Sequence, residues 1–427
     1  MPEPVYLGPA PNQRTWRAPL PILERGGEIE GTDILREHAG DHGMVLWKVY
    51  RLLSNWAHCS PAERFNLFSP GMEEERLADI LVLDLPSEMI DPLLGIVPIV
   101  ASDRREVSWH EIGASCVKVG EAAEREDAKA TGMLFRQMAA LVCPGDPLLA
   151  LEAGKAAREL ARYTVAESWL KRAAALARQQ KEWKSYALAH IALGKQHIRR
   201  GALPEARISL ERAARQSRRH SLAETGAMAW HDLFTLEIEC GDRSAATSAA
   251  AAAFELYEAG DPSLPSLAHD VGVFWMEGGH FAPALSVFEA TAEQVGRGGD
   301  VWLACQADIA RAAGALGRED EFERAAAAVT AAPRDAHVRM AIYLLQVVKG
   351  AASLGRYREA ERVALRAVAI AKRRGENKTR IEAEELLGMA RQKAALEGRR
   401  RVAAKERRAA DQLAHGLVAK LASPFAT

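Results

Sequence analysis

Gly201, Gly241, Gly279, Gly317 and Gly355 stand 40, 38, 38 and 38 residues apart in a chain of 427. No other feature limits the fold so strongly. A glycine that returns at a near-fixed interval marks one backbone turn used repeatedly, and a period of this length is one supersecondary unit, not a domain. Other positions keep the same frame. A small residue recurs at Ala166, Ala206, Ala246, Ala284 and Ala360, with Phe322 in one divergent unit, at intervals of 40, 40, 38, 38 and 38. Gly154, Gly194 and Gly272 share a second small position ahead of the turn. Behind it, Leu170, Leu210 and Phe288 share a large position, and Ala173, Ala213, Ala253 and Ala367 a small one. Small residues let two helices approach closely and large ones fill the space beside them, so each unit is expected to be a pair of helices.

Length and composition agree with that. At 427 residues the chain exceeds what one compact core serves, whereas a repeat needs to bury surface only against its neighbours. Hydrophobic residues make up 48% and aromatics only 6%. An alanine-rich apolar set of this kind suits close-packed helices better than sheets.

The run Ala192-Leu193-Gly194, then Gly201, Pro204-Glu205-Ala206, Leu210 and Ala213 resembles the tetratricopeptide repeat. That family's usual period is about 34 residues, so these units look like a version with roughly one more helical turn. The resemblance covers about residues 112 to 410. A worn unit with Val119, Thr131, Phe135 and Met138 precedes the six clear ones. Another opens at Leu387-Gly388, with Arg400 where a small residue is expected. The resemblance implies an all-α fold, a right-handed superhelical solenoid of helix pairs with a helical N-terminal cap. It also implies binding of peptides or protein segments in a concave groove lined by the first helices. Some bacterial members sense peptides and control transcription.

The remaining chain divides by composition. Residues 1–29 form a proline-rich arm with Pro2, Pro4, Pro9, Pro11, Pro19 and Pro21, expected to be extended. Residues 30–107 read as a helical cap or small bundle. Apolar spacing predicts helices over Met44 to Trp56, Gly71 to Asp84 and Glu88 to Val100, the last kinked at Pro92 and Pro98. Ser60-Pro61 followed by Glu63 reads as a helix start. The solenoid spans 108–375, and 376–427 read as a degenerate terminal repeat with a basic C-terminal helix. Cys59, Cys116, Cys143, Cys240 and Cys305 lie far apart without a C-x-x-C pair, which fits small buried hydrophobes in a reducing interior. The first residues lack a signal-peptide pattern and no apolar run is long enough to span a membrane. The expected location is cytoplasmic.

Groove residues follow from the resemblance, which places positions five and nine of each unit on the groove wall. The ninth holds Lys155, Lys195, Thr235, Val273, Arg311 and Lys349, and the sixth holds Glu152, Ala192, Asp232, Asp270, Asp308 and Gln346. One reading is a charged groove offering cations to an acidic peptide or a C-terminal carboxylate. The other is that Glu152 with Lys155, and Asp308 with Arg311, form i,i+3 pairs on a solvated helix face. The family's carboxylate clamp uses Lys and Asn at set positions. Asn is missing from them here, so the clamp is not carried over. His231 and His269 share the fifth position of consecutive units, each followed by an Asp. Adjacent helical residues point about 100° apart, so neither Asp is expected to orient its own His. Each His is expected either to line the groove or to be held by a carboxylate of a neighbouring repeat. With no nucleophile, metal-ligand spacing or phosphate-cradling loop at hand, neither enzymatic activity nor a metal or cofactor is expected.

Charge is nearly balanced, 56 Lys+Arg against 57 Asp+Glu, which weighs against a wholly basic nucleic-acid binder. One cluster leaves that reading open: Arg399, Arg400, Arg401, Lys405, Arg407 and Arg408. No aromatic is interleaved for base stacking, and a solvated terminal helix is the other reading. Two functions stand at this point. The first is a non-enzymatic scaffold that binds a protein or peptide in the groove. The alternative is a ligand- or peptide-responsive regulator whose superhelix changes pitch on binding.

Overall fold

A computed structural model of the chain describes residues 31–59, 71–83, 86–101, 108–333, 337–393 and 404–423. The proline-rich arm and the Ser60-Pro61 helix start lie outside the described residues. Among those described there are twenty helices and no strand, so the all-α expectation holds. None of these helices is long and apolar enough to cross a membrane. The chain divides at 236/237 into two compact units.

The first unit opens with α1 (Thr32–Glu37), α2 (Gly40–His58), α3 (Met72–Leu81) and α4 (Ser87–Ala101), the last running as one helix through Pro92 and Pro98. Three helix pairs follow: α5 (Trp109–Arg125) with α6 (Lys129–Val142), α7 (Pro147–Glu159) with α8 (Tyr163–Gln180), and α9 (Trp183–Arg199) with α10 (Leu203–Arg219). Helix α11 (Ala223–Glu239) crosses the division. The N-terminal helices share their core with the first pair. Trp56 meets Trp109 with ring centroids 4.9 Å apart, and Tyr50 meets Phe135 edge-on at 5.9 Å. Helix α6 has no side-chain cap of its own. Glu37, at the end of α1, supplies one, accepting from the backbone N–H groups of Ala130 and Thr131 at 2.8 and 2.7 Å.

The second unit begins within α11 and continues with α12 (Arg243–Leu256). Its pairs are α13 (Leu264–Glu277) with α14 (Phe281–Gln294), α15 (Asp300–Leu316) with α16 (Glu319–Ala331), and α17 (Met340–Ser353) with α18 (Tyr357–Arg374). Then come α19 (Asn377–Arg391), against α18, and α20 (Ala404–Ala422). A basic helix closing the last repeat is the sequence expectation. In the structure α20 returns to the start of the unit and lies on α14.

The repeat frame maps onto contacts inside each pair. A Cβ on Gly154 would come within 2.7 Å of Leu170, on Gly194 within 2.5 Å of Leu210, and on Gly272 within 2.6 Å of Phe288. Small and large positions therefore face each other across one helix pair, as ridges into grooves require. The five turn glycines all adopt left-handed backbone, with φ from 72° to 84°. Ala161 occupies the same place in an earlier repeat at φ 57°, where a side chain is disfavoured.

A second set of contacts ties two of the loops between repeats to the helix pair after them. Arg172 on α8 donates to the carbonyl of Pro144, at the α6–α7 turn, at 2.7 Å, and Gln180 donates to that of Gly145. Arg366 and Arg374 hold the same places on α18. Arg366 donates to Thr330 and Ala332, and Arg374 to His337 and Val338, all carbonyls of the preceding α16–α17 segment. Arginine's planar fork, with five donors, suits this kind of carbonyl capping. No cysteine forms a disulfide, and Cys116, Cys143 and Cys305 are buried.

Candidate functional site

The first helices of the pairs carry the residues expected to line a groove. In the first unit, Lys155 on α7 donates to Glu152 Oε1 at 2.7 Å, both side chains about 40% exposed. This is the i,i+3 pair expected of a solvated face. Glu152 also lies 4.0 Å from Arg136, whose guanidinium forks onto Glu124 at 2.7 and 2.8 Å. These four line a cleft of about 310 Å³ together with Lys129 and Glu159. Lys195 on α9 reaches to the next first helix, 3.3 Å from Asp232 Oδ1 on α11. The other oxygen of Asp232, Oδ2, is buried without a hydrogen-bond partner. Burial holds this carboxyl above its usual range, against the pull of Lys195 and His231. His231 is half-buried, its ring 6.4 Å from that of Phe234. Thr235 is exposed and its hydroxyl donates to the His231 carbonyl at 3.3 Å.

In the second unit His269 on α13 is clasped. Its Nε2 lies 3.0 Å from Asp308 Oδ2 on α15, and its Nδ1 3.6 Å from Asp270 Oδ1. Burial alone would depress the imidazole pKa, but the two carboxylates outweigh it and push it up to about 9. One expectation is corrected here. Asp270 does reach its own neighbour, because a long Nδ1 contact tolerates an angular offset that a good hydrogen bond does not. Arg311 is only 7% exposed and turns to Glu277 Oε1 on α13 at 2.5 Å and Gln346 Oε1 on α17 at 3.2 Å. Lys349 on α17 donates to Glu382 on α19 at 2.9 Å. Val273, on α13, is half-buried.

A rule emerges that the sequence alone did not display. Lys195 with Asp232, His269 with Asp308, Arg311 with Gln346 and Lys349 with Glu382 each link one first helix to the next. The i,i+3 spacing within a helix pointed to local pairs, whereas close-packed first helices bring the neighbouring repeat nearer to most of these heads. Further polar residues sit beside them and carry no repeat signal. His190 on α9 is buried edge-on to Tyr186, and burial lowers its pKa to about 4. Gln196, wholly buried, donates to the Tyr163 carbonyl at 3.0 Å.

Of the C-terminal cluster, Arg399, Arg400 and Arg401 lie outside the described residues. Lys405 falls in α20, and Arg407 and Arg408 are exposed on the same helix. Among the described residues no group of three or more His, Cys, Asp or Glu stands where it could hold a metal ion.

No family model and no curated relative matches the chain. Among solved structures it is similar to the apo form of RapI, at 11% identity over 81% of this chain and 98% of that one, with a TM-score of 0.45. It is also similar to the Rap conjugation gene regulator of the plasmid pLS20 in complex with the Phr* peptide, at 12% identity over 83% and 99%, with a TM-score of 0.38. The TPR2AB-domain:pHSP90 complex of yeast Sti1 matches at 14% identity over 66% and 99%, with a TM-score of 0.25. The description of these helix pairs rests on the chain itself: the turn glycines, and the glycines packed against Leu170, Leu210 and Phe288, make each unit a tetratricopeptide-like repeat.

Proposed function

We propose that this chain is a non-catalytic receptor for a peptide or an extended protein segment, taken up along the first-helix face of its repeats. The observation that carries this reading is a set of polar rungs between successive first helices, Lys195 with Asp232 in the first unit and His269 with Asp308, Arg311 with Gln346 and Lys349 with Glu382 in the second. First helices that pack directly lie about 8 to 10 Å apart, close to three residues of extended chain, so such a series matches a linear ligand. The heads are already neutralised by carboxylates. A fitting partner is therefore a segment of mixed charge that exchanges rung partners, more than a purely acidic one. Lys155, Lys195, His231, Thr235, His269, Arg311 and Lys349 are the contact residues in this reading. The regulator alternative draws on the same rungs, because a ligand that opens one alters how two successive repeats are joined.

Selection from a displayed peptide library tests it. Enriched peptides should bind the wild type and slow hydrogen exchange in the first helices. The combined variant Lys155→Gln, Lys195→Gln and Thr235→Ala should bind them about tenfold more weakly with unchanged circular dichroism, if each lost polar contact contributes on the order of 0.5 kcal/mol. Enriched peptides that protect only second helices, or bind the variant equally well, would place the site elsewhere.

A further inference from the structure

Helix α20 is far from its neighbours in sequence, and its seat is specific. Its buried stripe, Ala410, Ala414, Leu417 and Leu421, follows helical spacing, and the helix lies on α14 with α13 beside it. One turn from its end, the Lys420 ammonium donates to the carbonyls of Phe254 and Tyr257 at 2.6 and 2.5 Å. These close α12, where a helix leaves acceptors unsatisfied and its dipole is negative. The same ammonium lies 4.3 Å from the centre of the Phe254 ring. That ring also presses against Gly416, where a Cβ would come within 2.9 Å of it. The seat thus combines an apolar strip, a gap that admits a glycine and a pair of backbone acceptors.

The hold on α20 is slight compared with that on a repeat helix. Arg407, Arg408, Ala409, Gln412 and His415 are exposed, and two leucines and two alanines form the buried stripe. Helix α18 instead buries Ala360, Val363, Ala364, Ala367, Ile370 and Ala371 between two neighbours, α17 and α19. The pairs from α13 to α19 are also joined to one another without α20. We propose that α20 is a detachable latch and that its seat on α12 and α14 is a second binding site. The site takes an amphipathic helix with an Ala/Leu stripe, a glycine and a lysine one turn later, and α20 is its resident occupant. This does not depend on the first-helix face.

Hydrogen exchange on the full chain tests it. In the wild type, α20 amides should exchange at least about tenfold faster than those of α15 to α18, reporting an opening that leaves the repeats folded. Leu417→Asp should remove protection from α20 while α15 to α18 keep theirs. A synthetic peptide of residues 404–423 should then bind the Leu417→Asp chain saturably, and the wild-type chain about tenfold or more weakly, because the tethered helix competes at high effective concentration. Should Leu417→Asp unfold the whole second unit, Lys420→Gln is the decisive variant, expected to speed exchange in α20 alone. The latch is refuted if α20 exchanges only together with α15 to α18 in the wild type, if Lys420→Gln lowers protection throughout the unit, or if the peptide fails to bind a folded Leu417→Asp chain.

Discussion

At His269 burial and charge pull in opposite directions. Burial favours the neutral ring, yet Asp270 and Asp308 hold it protonated, with a pKa raised to about 9. The unfolded chain titrates near 6.5. The clasp therefore stabilises fully below pH about 6.5 and its contribution fades as pH rises through about 9. Replacing His269 with Ala is expected to cost about 2 kcal/mol near pH 6.5, since it takes the imidazolium from the sheltered Asp308 carboxylate. The difference between wild type and variant should shrink as pH rises from about 6.5 to about 9 and be largely gone above that. Urea unfolding across pH 6 to 10 measures this, and the imidazole proton shifts in solution should show His269 still charged at pH 7.5. The residues were legible in the sequence, since His231-Asp232 and His269-Asp270 repeat in frame. Their partners were not, because which carboxylate meets which ring depends on how far one first helix is offset from the next.

Glycines on the helices do opposite work in different elements. At Gly194 an added Cβ would press into Leu210, and at Gly388 on α19 it would meet nothing within 4 Å. Gly194→Ala is therefore expected to destabilise by about 1–3 kcal/mol through overpacking, in spite of alanine's better helix propensity. Gly388→Ala should stabilise by up to about 1 kcal/mol, the propensity gain alone. Thermal melts of the two variants, read beside the wild type, decide whether close approach or propensity governs each site. The pairing of Gly154, Gly194 and Gly272 with Leu170, Leu210 and Phe288 was legible because both halves recur in one frame. The contact of Gly314 with Gly350 was not, for it joins two first helices at places that fall outside the frame's recurring positions. The arginine hold on loops was hidden too. Arg172, Arg212 and Arg366 share a frame position, but Ala252, Ala290 and Ala328 hold it in the units between, and spacing alone does not say which loop carbonyls an arginine there would reach. The seat of α20 leaves no repeat signal at all, being a single long-range contact.

Across the molecule, packing within each unit is mostly between neighbours, and a defect should stay where it is made. A Cβ on Gly314 would lie 2.5 Å from the Cα of Gly350, and backbone cannot swing aside as a side chain can. Gly314→Ala should therefore force α15 and α17 apart and lower hydrogen-exchange protection through the second unit, leaving α5 to α10 within about threefold of wild type. Loss of protection in both units alike would mean that the chain unfolds as one cooperative body. The loop contacts have a further consequence, in time. Pro144 and Gly145 are held by Arg172 and Gln180, and Thr330, Ala332, His337 and Val338 by Arg366 and Arg374, in both cases from a later helix to an earlier loop. On the ribosome such a loop stays open until some thirty more residues have emerged, a few seconds at ordinary rates of synthesis. Each of these loops is thus finished by a later helix, and a nascent chain that has emerged only as far as residue 340 would present the carbonyls of Ala332, His337 and Val338 still unclaimed.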